Sequence, residues 1–269
     1  MKSWKTLYVL ASVALISGCA TETYSPGYED HPNLKEAETA RARGDLPQAI
    51  HDYRDIIKEN PKCEKAYFGL GMSLLDSNNI DEAKRTFEQE LALFCNSVCA
   101  WIGMGSVYLV IDQPENAIHA FERALCSDPR NARAHNGLGI ALDMMGDHAA
   151  AQANYRAAIE LSGGNASYES NLGLSLALGG NPREAIRILE RLACSPCATP
   201  RVRQNLSLAY GMAGDMKRAK EVGKVDLPSD LVKDNITYFE SIQETQDNVG
   251  LIPKGHERAL NSTRKWQDK

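Results

Sequence analysis

Val98–Asn131 reads VCAWIGMGSVYLVIDQPENAIHAFERALCSDPRN, and the spacing of its apolar residues decides the fold. Trp101, Gly105 and Tyr108 fall in its first half, and Ala117, Phe121, Ala124 and Pro129 in its second. Apolar residues recur at three- and four-residue steps in both halves, which predicts two amphipathic helices. Asp112-Gln113-Pro114-Glu115 separates them, with a proline suited to the first turn of a new helix. The stretch is therefore a helical hairpin.

The hairpin recurs. Ala49, Ala83, Ala117, Ala151, Ala185 and Ala219 stand 34 residues apart without an insertion or deletion. Gly71, Gly105, Gly139 and Gly173 form a second ladder, and Tyr53, Phe87, Phe121, Tyr155 and Leu189 a third. The Gly position is expected where the first helix of a hairpin meets its partner too closely for a side chain, with Ala as its counterpart. The bulky position is expected to fill the space between hairpins. One hairpin cannot bury its apolar face alone, so successive hairpins must stack.

In these positions the chain resembles the tetratricopeptide repeat, with its aromatic–Leu–Gly–Tyr run followed by Ala, Phe and a closing Pro. The resemblance implies an all-α solenoid of helix–turn–helix units at 30–63, 64–97, 98–131, 132–165, 166–199 and 200–233. Gly44-Asp45, Asn78-Asn79, Gly146-Asp147, Gly180-Asn181 and Gly214-Asp215 are the predicted turns. Gly or Asn takes the left-handed conformation there, and Asp or Asn caps the following helix. The sixth repeat breaks off after Ala219: Gly223 replaces the bulky residue and Val225-Asp226-Leu227-Pro228 ends the helix. An amphipathic segment from Ser229, with Leu231, Val232, Ile236, Tyr238, Phe239 and Ile242, is expected to cap the open end. The domains are thus a superhelix with its cap over 33–243 and a polar tail over 244–269, expected to lack order. That tail is biased toward Lys254, Arg258, Arg264, Lys265 and Lys269.

The amino terminus carries a different signal. Met1–Lys5 supplies two lysines, and Leu7–Ile16 is an apolar run of ten residues. That is too short for a spanning helix and suited to a signal peptide. Leu15-Ile16-Ser17-Gly18-Cys19 resembles the bacterial lipobox. The resemblance makes residues 1–18 a lipoprotein signal peptide and Cys19 the acylated first residue, with palmitate-type chains. Two or more such chains anchor stably where one does not. Ala20 follows Cys19 in place of the aspartate that retains lipoproteins in the inner membrane, which implies the periplasmic face of the outer membrane. Residues 19–32 then form the acylated cysteine and a tether rich in turn formers.

Charge agrees with a covalent anchor. The formal charge of −5 becomes −7 if Lys2 and Lys5 leave with the signal peptide. Such acidity argues against a nucleic-acid partner and against electrostatic adhesion to anionic lipid. Seven cysteines less Cys19 leave six in an oxidising compartment. Sequence alone cannot choose among their pairings. Helix geometry favours Cys99 with Cys126, Cys63 with Cys95, and the local pair Cys194 and Cys197. A redox role for that CxxC has no thioredoxin-like context.

No catalytic motif is present. The six histidines are scattered, and the acidic clusters read as helix caps or solvated faces. No enzyme activity, small-molecule substrate, cofactor or metal is expected. The working surface is expected to be a concave groove lined by first helices: Phe68, Met72, Leu75, Ile102, Leu109, Ile140, Met144, Leu174, Leu178 and Leu208. Asn136, Asn171 and Asn205 stand among them, with amides able to bond a ligand backbone. About half of this set is expected to be exposed. An apolar, Met-containing channel with few basic residues suits an amphipathic helix of a protein partner.

A lipobox ahead of six such repeats, closed by Asp226-Leu227-Pro228, Val232, Asn235, Tyr238 and Phe239, resembles the TadD family of lipoproteins from tight-adherence (Tad/Flp) pilus assembly. That implies a part in pilus biogenesis, with the outer-membrane secretin or another assembly subunit as partner. A type IV pilus pilotin remains open. So does a scaffold for outer-membrane protein assembly or for peptidoglycan enzymes.

Overall fold

A computed structural model describes residues 31–195 and 198–250. Cys19, Cys197 and the tail beyond Gly250 lie outside the described residues. Helices pair in order: α1 (Leu34–Ala42) with α2 (Leu46–Glu59), α3 (Glu64–Asp76) with α4 (Ile80–Leu93), and α5 (Val98–Val110) with α6 (Pro114–Ser127). They continue as α7 (Ala132–Met144) with α8 (His148–Ser162), α9 (Ala166–Leu178) with α10 (Pro182–Ala193), and α11 (Pro200–Met212) with α12 (Met216–Gly223). The last is α13 (Ser229–Gly250). From Glu64 onward the first helices begin every 34 residues, and all six second helices do so from Leu46. No strand occurs among the described residues. This is the all-α tetratricopeptide-type solenoid that the ladders predict.

The turns hold the same period. Gly44, Asn78, Asp112, Gly146, Gly180 and Gly214 all have φ between 56° and 85°, where Gly is favoured and Asn or Asp tolerated. Asp45, Asp147 and Asp215 then accept the backbone N–H three residues on, capping α2, α8 and α12. Asn79 and Asn181, expected to do likewise, make no side-chain cap bond.

The helices form two compact units divided between Ser175 and Leu176. In the first unit the core runs along the ladders, with Ala49, Ala83, Ala117 and Ala151 wholly buried beside Tyr53, Phe87, Phe121 and Tyr155. The glycines clear room for those rings, so the close approach to the partner helix that the sequence predicts is made to its aromatic side chain. A Cβ on Gly71 would fall 2.4 Å from the Phe87 ring, and one on Gly103 2.2 Å from it. Gly105 and Gly137 flank Phe121 in the same way, at 2.7 and 2.3 Å. Phe87 and Phe121 are thus each clasped by their own hairpin and the next. Gly69, Gly103 and Gly137 are a second glycine ladder that the sequence reading passed over.

The second unit shows how the repeat ends. Gly223, in the bulky register, lets Val232 of α13 approach to 3.6 Å of its would-be Cβ. Phe239 lies against Gly211, where a Cβ would come within 2.3 Å of the ring. Arg203 grips Asp226 through Nε and Nη2, both at 2.7 Å, and this holds the Asp226-Leu227-Pro228 corner ahead of α13. α13 buries Val232 and Phe239 and continues to Gly250, so residues 244–250 are helical, unlike the tail expected from Glu244 onward.

Candidate functional site

The expected groove is far more closed than its sequence suggests. Phe68, Met72, Leu75, Ile102, Leu109, Asn136, Ile140, Asn171 and Asn205 are all buried, each less than one-tenth exposed. Met144 and Leu174 in the first unit, and Leu178 and Leu208 in the second, are half-buried. None is fully exposed, against the expectation that about half would be. The reason is lateral closure: the Arg133 guanidinium sits 5.2 Å over the Phe68 ring, reaching from α7 to α3 past the intervening α5. The Asn171 amide donates to Asn136 Oδ1 at 2.8 Å, so these two amides serve each other. What remains open in the first unit lies mostly at helix ends: Leu93, closing α4, is 53% exposed, and Met145 and Ile111, just past α7 and α5, are 48% and 36% exposed. Met144 at the end of α7 and Leu174 within α9 are part-exposed.

Two charged groups lie inside the first unit where the sequence reading had only caps and solvated faces. Asp143 occupies the register of Leu75 and Leu109 and is 5% exposed. Its Oδ1 accepts His148 Nδ1–H at 2.8 Å and Ser175 Oγ–H at 2.7 Å, and its Oδ2 accepts the Tyr155 hydroxyl at 2.9 Å. The Asp143 hydrogen bond raises the His148 pKa above its ordinary value against the opposing effect of burial. Serine, histidine and aspartate are the residue types of a hydrolytic triad. Here serine and imidazole both donate to the same carboxylate, so the serine has no base to take its proton. The group ties α7, α8 and α9 together.

Glu90 occupies the register of Ile56, Ala124, Ala158 and Leu192 and is fully buried. Ser97 Oγ–H donates to its Oε1 at 2.8 Å and accepts the Ala100 N–H, which caps α5. Its Oε2 has no hydrogen-bond partner. Burial, reinforced by Glu64, pushes its pKa up to about 8 despite the Ser97 bond. A charged residue in an otherwise apolar ladder was the signal by which either carboxylate could have been found.

Two of the expected cysteine pairs are not formed: no disulfide joins Cys63 to Cys95 or Cys99 to Cys126. The third, Cys194 with Cys197, falls partly outside the described residues. Among the described residues no group of three or more His, Cys, Asp or Glu side chains is placed to hold a metal ion. No helix among them is long and apolar enough to cross a membrane.

Paired helices beginning every 34 residues, locked by ring-and-glycine clasps, define a helical-hairpin repeat protein of the kind that presents surfaces to other proteins. A family model of the tetratricopeptide repeat matches residues 34–97, 102–151 and 141–199, more than half of the chain. The chain belongs to the tetratricopeptide-repeat family. It is 32% identical over 178 residues to the uncharacterized protein y4yS of Sinorhizobium fredii, spanning 66% of this chain and 85% of that protein. The crystal structure of PilW, a widely conserved type IV pilus biogenesis factor, aligns with a TM-score of 0.61 at 18% identity, covering 71% of this chain and 88% of PilW. Pseudomonas aeruginosa pilF aligns with a TM-score of 0.53 at 20% identity, covering 75% of this chain and 97% of that one. At these identities the two structures share the fold.

Proposed function

We propose that this protein is a non-enzymatic adaptor of Tad/Flp pilus assembly, held at the periplasmic face of the outer membrane by acyl chains on Cys19. It binds a helical segment of the secretin, or of another assembly subunit, in pilotin-like fashion. The observation that carries this reading is a lipobox at Leu15–Cys19 ahead of repeats that leave apolar side chains part-exposed on their first helices. The Asp226-Leu227-Pro228 corner, whose aspartate is held by Arg203, opens the tail segment on which the resemblance to TadD rests. A protein of the same fold, PilW, is described as a type IV pilus biogenesis factor, and the proposal places this chain in similar service.

With most of the expected groove closed, docking falls to the part-exposed apolar residues. In the first unit these are Met144 and Leu174, with Met145 and Ile111 one register position on from Met144. The test is capture from membranes with the lipidated protein, its Cys19→Ser form, and Met144→Asp and Leu174→Asp variants checked for helix content. The wild type should retain a pilus secretin or assembly subunit in the membrane fraction. Cys19→Ser should carry the partner into the soluble fraction, and the two aspartate variants should lose it while remaining folded. Undiminished capture by both aspartate variants would remove the docking surface from the proposal. Recovery of a type IV pilus secretin, a β-barrel assembly subunit or a peptidoglycan enzyme would reassign the protein to that machinery.

A further inference from the structure

A cavity of about 330 Å³ lies between α2, α3 and α4 in the first unit. Ile57, Tyr67 and Leu70 give it an apolar wall, and Arg54, Glu82, Arg85 and Gln89 give it a polar rim. None of these residues belongs to the expected groove, so the cavity is separate from the surface assigned to a helical partner. Its size falls at the small end of ligand sites, which run roughly 300–1,000 Å³.

Three polar groups there are uncommitted. Tyr67 is 6% exposed, and among the described residues its hydroxyl has no hydrogen-bond partner. A phenol this deeply buried ordinarily finds one. Arg85 and Gln89 are exposed and likewise have no side-chain partner among the described residues. Arg54, by contrast, is paired with Glu82. The rim therefore sets two guanidinium groups against one carboxylate, leaving a single positive charge unbalanced.

The equivalent place is closed in the next two hairpins. Trp101 occupies the register of Tyr67 and lies 5.0 Å beneath the guanidinium of Arg123, which occupies the register of Gln89. His135 comes next in that register, with its ring nitrogens 3.0 Å from Asn154 Oδ1 and 3.1 Å from the Pro129 carbonyl. Asn154 occupies the register of Thr86, whose hydroxyl is turned back to donate to the Glu82 carbonyl at 2.9 Å. Gln89 and Thr86 thus stand where longer or better-placed side chains seal the later hairpins.

We propose that this cavity binds a small carboxylic acid with an apolar body. The carboxylate accepts from the Arg85 guanidinium, the Gln89 amide and the Tyr67 hydroxyl, and the apolar part rests on Ile57 and Leu70. Guanidinium and carboxylate match in shape as well as charge, and the one unbalanced cation suits a monoanion. Glu90 lies close enough to act on Tyr67 by its charge, but burial holds it neutral near neutral pH, so it leaves the anion unopposed.

The test uses the full chain near neutral pH, with phenylbutyrate and hexanoate as probes and phenylbutyramide as the uncharged control. Calorimetry should show one saturable site for at least one acid, with the amide weaker by about ten-fold. Arg85→Gln should weaken the acid by about ten-fold, and Tyr67→Phe by roughly five-fold. Gln89→Arg supplies the guanidinium that closes the next hairpin and should abolish binding. Arg85 and Gln89 are both exposed, so their variants should keep the wild-type helix content. No saturable binding of either acid to the wild type would overturn the proposal. So would amide binding as tight as the acid, or binding undiminished in both Arg85→Gln and Gln89→Arg.

Discussion

Glu90 and Asp143 are both shut away from water in the first unit, each in a register where the adjacent repeats are apolar, and their surroundings treat them in opposite ways. Asp143 is met by an imidazole, a phenol and a serine hydroxyl on three helices. Glu90 has one serine donor, a second oxygen without a partner, and another carboxylate close enough to repel it. A buried carboxylate stabilises when donors replace its water, and costs free energy when they do not. The joint around α7–α9 is therefore a polar lock. The joint around α4 and α5 contains a group that folding holds in its neutral form near neutral pH.

The sharpest way to break this comparison is Asp143→Ala. It removes the carboxylate that three buried or half-buried donors share, so unfolding free energy from denaturant titration should fall by about 3–5 kcal/mol. A loss below about 1 kcal/mol would mean that the lock contributes nothing beyond ordinary hydrogen bonding.

Glu90→Gln should act in the opposite direction and depend on pH. The folded pKa of Glu90, about 8, exceeds its ordinary value of 4.5. This group therefore favours the folded state fully below pH 4.5 and loses that contribution as pH rises through about 8. Glutamine cannot ionise. Relative to wild type the variant should match near pH 4, gain progressively above pH 4.5, and reach a gain on the order of 5 kcal/mol above pH 8. Parallel stability curves for the two proteins across that window would show that Glu90 ionises freely in the fold.

His148 gives the smallest effect. Asp143 raises its pKa, so its contribution is complete below its ordinary value of 6.5 and is lost as pH rises through the raised one. Because the imidazole is part-exposed, the loss should be a few tenths of a kcal/mol. His148→Ala should remove this contribution, and wild-type and variant curves that run parallel between pH 6 and 8 would contradict the pairing.

Most of the architecture was legible in the sequence because a repeat writes its packing rules six times over. Helix starts, left-handed turn positions and core ladders follow from residues 34 apart. The interior of the groove was less legible, because periodicity gives the side of a helix but not how tightly neighbouring hairpins close. Phe68 is in the expected register yet lies beneath Arg133, and Asn136 is turned toward Asn171. Cysteine pairing was the least legible, since helix ends may share a side of the array without bringing sulfur atoms together. The buried carboxylates were visible in principle: each interrupts a ladder, and reading acids one by one as caps concealed this.

The ring clasps carry a consequence for how the first unit comes apart. Since Phe87 is gripped by glycines on α3 and α5, and Phe121 by glycines on α5 and α7, no hairpin there owns its aromatic outright. Melting one hairpin strips a wall from its neighbour's ring, so damage spreads along the row like a dropped stitch in knitting. A lesion at either glycine of a clasp should be felt a full hairpin away.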